Sequence, residues 1–176
     1  MPGAVGLIVR HLPGADPPAF QVTRLSDGKT APPATIASPV GFPVEGRPHS
    51  DLMRELHWYL ETFLDYPFPP ETDHAERAQR AFKQWGDQAF EALFGSRAAG
   101  RMFDAATDEK YARLHLQVSS DDPRGLAWPW EALHDPETGF LAHTCQIERR
   151  LDKVRDPPLL HASLPQDRVN ILLVVA

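Results

Sequence analysis

Five prolines, Pro32, Pro33, Pro39, Pro43 and Pro48, punctuate the end of the N-terminal quarter of the chain. Each removes a backbone N–H and fixes φ, so this stretch cannot be helical and any strand within it belongs at a sheet edge. Ahead of them, "VGLIVRHL" and "FQVTRL" read as strands, and "SDGK" over Ser26–Lys29 reads as a turn. Residues 1–48 are therefore expected to form a small Pro/Gly-rich β ribbon.

The period changes after Pro48. In "HSDLMRELHWYLETFLDYPFPP", Leu52, Leu56, Tyr59, Leu60, Phe63 and Leu64 recur at helical spacing. Ser50 or Asp51 is the expected N-cap, Glu55 lies where it can support a capping box, and "PFPP" ends the helix. A second helix is expected from Asp73 to Phe94, burying Ala78, Ala81, Phe82, Trp85, Ala89, Phe90, Leu93 and Phe94 as one stripe, with Gly95 as its stop. A short third helix is expected over Ala98–Ala106.

From Leu114 the pattern alternates. "ARLHLQVSS" places Leu114, Leu116 and Val118 on one face and His115 and Gln117 on the other, which is a strand. "DDPRG" turns the chain, "PWEALH" reads as a short helix opened by Pro129, "PETG" turns again, and "FLAHTCQIERRL" reads as a further strand. The final "RVNILLVVA" is a continuous apolar run, the pattern of a strand buried on both faces of a parallel sheet.

Composition narrows the function classes. Apolar residues make up 42% of the 176, enough for a core, and net charge is −6 with no basic face, which argues against nucleic-acid binding. A single cysteine, Cys145, excludes an internal disulfide framework and Cys-rich zinc sites. The longest apolar run is too short to span a bilayer, and the N-terminus lacks a basic segment followed by an apolar one. A cytoplasmic protein without membrane association and without a cofactor is expected.

Residues 49–176 resemble the N-terminal portion of CHAT-domain proteins, a caspase-like family related to cysteine peptidases and often attached to tetratricopeptide repeats. "LHWYLETFLDYPFP" is similar to that family's Leu-Arg-Trp-Tyr-Leu-Glu helix and its aromatic-proline stop. "AERAQRAFKQWGDQAFEALFG" looks like the helix before the family's first core strand. "LHLQVSSDDPRGLAWPWEALHDPETGFLAH" resembles its strand, loop, Pro-Trp-Glu-x-Leu helix and following strand, and "RVNILLVVA" the strand that opens the catalytic half. The resemblance implies an α/β fold, α+β within this stretch: an incomplete caspase-like sheet with a helical layer and the N-terminal β ribbon.

It also implies peptidase chemistry by a Cys thiolate and a His, each following a later strand in His-Gly and Ala-Cys motifs. Neither motif occurs here. No catalytic, cofactor-binding or metal residue is carried over. Two functions stand as expectations. One is a non-catalytic scaffold half whose partner is a catalytic half outside this chain, with tetratricopeptide-repeat regions as possible neighbours. The other is a complete regulatory or protein-binding module that docks through its C-terminal strand.

Several local groups invite chemistry of their own. His143 and Cys145, two apart on the expected strand, share a face and form the skeleton of a thiol site, yet no third orienting group or oxyanion donor accompanies them, so a half-buried strand pair is the preferred reading. His134, Asp135 and Glu137 in "HDPETG" suit a metal, but a solvated turn explains them as well. His57 faces away from the leucine stripe. Arg149, Arg150, Lys153 and Arg155 are interleaved with Glu148 and Asp152, which reads as a solvated strand end. Trp128, Pro129, Trp130, Glu131 and Leu133 are read as a structural anchor: the aromatics fill space between helix and sheet, and Glu131 can accept hydrogen bonds from backbone or an arginine.

Overall fold

The computed structural model of the protein describes residues 5–107 and 114–153. The strands are β1 (Val5–Leu12), β2 (Ala19–Arg24), β3 (Ala34–Thr35), β4 (Leu114–Ser119), β5 (His134–Asp135), β6 (Gly139–Phe140) and β7 (Gln146–Arg150). Five of them form one mixed sheet in the order β3-β2-β1-β4-β7, and β5 and β6 form a separate hairpin. β1 and β2 pair antiparallel, whereas β1, β4 and β7 run parallel. The short β3, preceded by Pro32 and Pro33, is an edge strand. The N-terminal segment thus contributes a ribbon whose first strand also occupies the centre of the sheet.

The alternation read in the sequence decides which face packs. Leu7 and Val9 of β1, Phe20 and Val22 of β2, and Leu114, Leu116 and Val118 of β4 are all buried. His115 and Gln117 lie on the other face, half-buried, with Glu148 of β7 paired in register with Gln117. The helices are α1 (Leu52–Trp58), α2 (Glu71–Phe94), α3 (Arg97–Thr107) and the short α4 (Pro123–Leu126). The long α2 starts immediately after Pro70 and buries Ala78, Ala81, Trp85, Ala89, Phe90, Leu93 and Phe94. Met102 and Phe103 of α3 join the same core, with Phe103 edge-on to Phe90 at 5.1 Å. The fold is mixed α/β.

Three expectations need correction. The first helix does not carry its stripe to Leu64. Leu52 is buried, but Tyr59–Phe63 form a π-helical turn closed by the Leu64 N–H on the Tyr59 carbonyl at 3.3 Å. The extra residue in this turn rotates the helix face, and Leu60 and Leu64 emerge exposed. "PWEALH" makes only one 3₁₀ turn (Trp130–Ala132), capped rather than begun by Pro129. "FLAHTCQIERRL" is not one strand: a 3₁₀ turn over Leu141–His143 separates β6 from β7. The run "RVNILLVVA" lies outside the described residues.

Candidate functional site

Where β4 ends, Asp122 caps α4 through the Arg124 amide, and α4 delivers the chain to Trp128-Pro129-Trp130. Trp130 is fully buried and its indole N–H donates to the Gly125 carbonyl at 2.9 Å, so the ring is anchored at its one polar atom. The Trp128 and Trp130 rings stack at 5.6 Å, and both meet Phe20 of β2 and Trp85 of α2. Trp85 in turn donates to the Ala37 carbonyl at 2.8 Å. Leu133 is fully buried, and its carbonyl accepts from the Leu141 amide at 2.9 Å. Sheet, α2 and the loops on either side of them therefore converge on one aromatic corner.

Arg149 of β7 straps this corner to the sheet. Its guanidinium forms a bidentate pair with the Glu131 carboxylate, and it also donates to the carbonyls of Leu126 at 2.8 Å and Trp128 at 3.2 Å. Partial burial would raise the Glu131 carboxyl, but the Arg149 hydrogen bonds, one from the Glu131 backbone amide and the Arg149 charge outweigh it and hold the group below its ordinary value. The side chain read as a solvated strand end is thus the tie for three loop groups.

Beside the corner opens a groove of about 800 Å³. Leu56 and Phe63, Ala75 and Phe82 of α2, and Trp128 and Pro129 of the aromatic corner line it. The Glu131–Arg149 pair marks its polar edge. Volume and lining fall in the range of small-molecule clefts.

The remaining candidates are dispersed. His143 ends the 3₁₀ turn and meets Phe140 edge-on at 5.9 Å, whereas Cys145 gives its amide to the Leu141 carbonyl; the two do not share a strand face. Burial pushes the Cys145 thiol up to about 11, away from thiolate chemistry. In the β5–β6 turn, Asp135 accepts from the Glu137 amide at 3.0 Å and from the Thr138 hydroxyl at 2.6 Å, while His134 pairs with Asp87 of α2 at 2.7 Å. Among the described residues, no three His, Cys, Asp or Glu side chains converge as a metal site. His57 is exposed, 3.8 Å from Glu61. Asp152 pairs with Arg10 at 3.0 Å and Lys153 with Asp121 at 3.3 Å; Arg155 lies outside the described residues.

One buried polar pair escaped the sequence reading. Glu55, 1% exposed, turns inward instead of closing a capping box and pairs with His74 of α2, which is stacked under Trp58 at 3.4 Å. Burial would raise the Glu55 carboxyl, but Ser50, His74 and Arg47 outweigh it and lower it. The other His74 nitrogen faces Glu71 at 3.5 Å, so both ring nitrogens are occupied by carboxylates and the pair serves to join α1 to α2. The signal was present: His74, Ala78, Ala81 and Trp85 keep helical spacing, which puts His74 on the buried stripe.

No helix among the described residues is long and apolar enough to cross a membrane. The chain matches no protein-family model, no curated protein and no solved structure.

Proposed function

We propose that this chain is the non-catalytic scaffold half of a CHAT-type caspase-like protein, holding a parallel sheet ready for a catalytic half that supplies the His and Cys. The observation that carries this reading is the parallel run β1-β4-β7, in which each later strand adds outward in the same direction and β7, the outer strand among the described residues, is locked to the aromatic corner by Arg149. Strands of a parallel sheet are ordinarily buried on both faces and read as continuous apolar runs, and the apolar run after β7 in the sequence has that composition. The corner then acts as the abutment that fixes the position of β7, and its residues support chemistry without performing it.

The test is the intact mass of the protein from its native cell. A mass above 19.7 kDa, with His-Gly and Ala-Cys motifs in the added sequence, is expected, and alanine at that cysteine should abolish peptide cleavage by the whole protein. A product of 19.7 kDa, or a longer one lacking those motifs, overturns the proposal.

A further inference from the structure

The described residues expose seven large apolar side chains, and four of them, Leu60, Leu64, Tyr66 and Phe68, fall in the nine-residue span from Leu60 to Phe68, each more than half exposed. This span begins in the π-turn, whose Tyr59, Leu60 and Phe63 line the groove. Isolated surface leucines need no explanation, but an apolar run adjoining an apolar groove marks an interaction surface. The charge along this stretch of sequence is acidic. Between Leu60 and Glu76 the sequence holds Glu61, Asp65, Glu71, Asp73 and Glu76 and no lysine or arginine. Arg77 and Arg80 follow, Arg80 pairing with Glu76 at 4.0 Å, and Arg149, which also lines the groove, is paired with Glu131.

We propose that this groove is the docking site for a basic amphipathic helix of a partner protein, a surface distinct from the β7 edge. Most of the residues that line the groove belong to α1, its π-turn and α2, whose backbone groups are bonded within the helices, so that side offers no strand edge to an extended peptide. An occupant has to satisfy its own backbone, which a helix does. The α2 residues that line it run from Thr72 to Phe82, roughly 15 Å at 1.5 Å per residue, enough for about three turns. Leucine-like side chains at i, i+3 or i+4, and i+7 would fill the groove, and lysines flanking them would face the acidic rim. An anionic membrane surface is disfavoured by the same carboxylates.

The test uses the full chain and a synthetic helical peptide with leucines at those positions and flanking lysines, beside a version with glutamate at every lysine position. Calorimetry should give binding by the lysine peptide at least tenfold tighter than by the glutamate peptide, weakening as salt rises. Leu60→Asp, at an exposed position, should abolish it with the circular dichroism spectrum unchanged. Glu61→Lys with Glu76→Lys should reverse the charge preference. Equal binding of the two peptides, or no binding to the folded chain, overturns the proposal. So does a dimer that Leu60→Asp dissociates, which assigns the groove to a second copy, or flotation with phosphatidylserine vesicles, which assigns the patch to lipid.

Discussion

The backbone carbonyl of Ala132 lies directly against Gly86 of α2: a Cβ at that glycine would sit 1.8 Å from the oxygen. The aromatic corner can press into the helix only because this position has no side chain. Alanine in an ordinary helix interior gains about 1 kcal/mol over glycine. Here the clash is with backbone, which no rotamer change relieves, so Gly86→Ala should bring a net loss of about 2–3 kcal/mol, the cost of overpacking a core. Urea denaturation followed by near-ultraviolet circular dichroism of the tryptophans checks this. A variant more stable than the parent, with an unchanged tryptophan spectrum, would show that the corner and α2 are not in contact.

Arg149 and Glu131 offer a second test, because the two side chains are not equally committed. The Glu131 side chain bonds its arginine and its own backbone amide, in a half-exposed pair that solvent screens, so Glu131→Gln should cost about 0.5 kcal/mol. Arg149 also satisfies the carbonyls of Leu126 and Trp128, so Arg149→Met should cost more, about 1.5 kcal/mol. Denaturation midpoints of the two single variants rank them directly. Equal losses would mean that the carbonyl contacts contribute nothing.

Much of this architecture was legible in the chain because burial imposes a period. The α2 stripe through Trp85 and the alternation of Leu114, Leu116 and Val118 are direct consequences of helix and strand geometry meeting one core. The features that stayed hidden lack a period. A three-residue 3₁₀ turn at Leu141–His143 is too short to show one, so His143 and Cys145 read as neighbours on a strand. The π-turn at Tyr59–Phe63 shifts the register by one residue with no composition marker, so Leu60, which is exposed, read as part of the leucine stripe. Glu55 read as a surface cap because carboxylates are rarely buried, and only its partner nineteen residues away in sequence reverses that. The tie from Arg149 to the corner was hidden for the same reason, since an arginine in a run of alternating charges carries no sign of which partner it takes.

Cys145 should be slow to react. With its thiol pushed up to about 11 by burial, only about one molecule in a thousand is thiolate at pH 8. Alkylation by iodoacetamide at that pH should therefore run about a hundredfold slower in the folded protein than in urea. Matching rates in the two states would place the thiol in solvent and remove the argument that this cysteine is structurally inert.

The Glu55–His74 pair makes stability pH-dependent with a definite sign. The folded-state pKa of Glu55 lies below its ordinary 4.5, so the stabilisation is fully present above pH 4.5 and is lost as pH falls through the lower, folded value. At pH 7, Glu55→Gln leaves the imidazole of His74 and the guanidinium of Arg47 without their carboxylate and should cost roughly 3 kcal/mol. In acid the parent carboxyl is itself protonated, and the two proteins should converge. Thermal midpoints of parent and variant, measured from pH 7 down to about pH 3, report the gap between them. A gap that stays constant across that range would show that Glu55 does not carry the charge in the folded protein, and that α1 is held to α2 by packing of Trp58 on His74 alone.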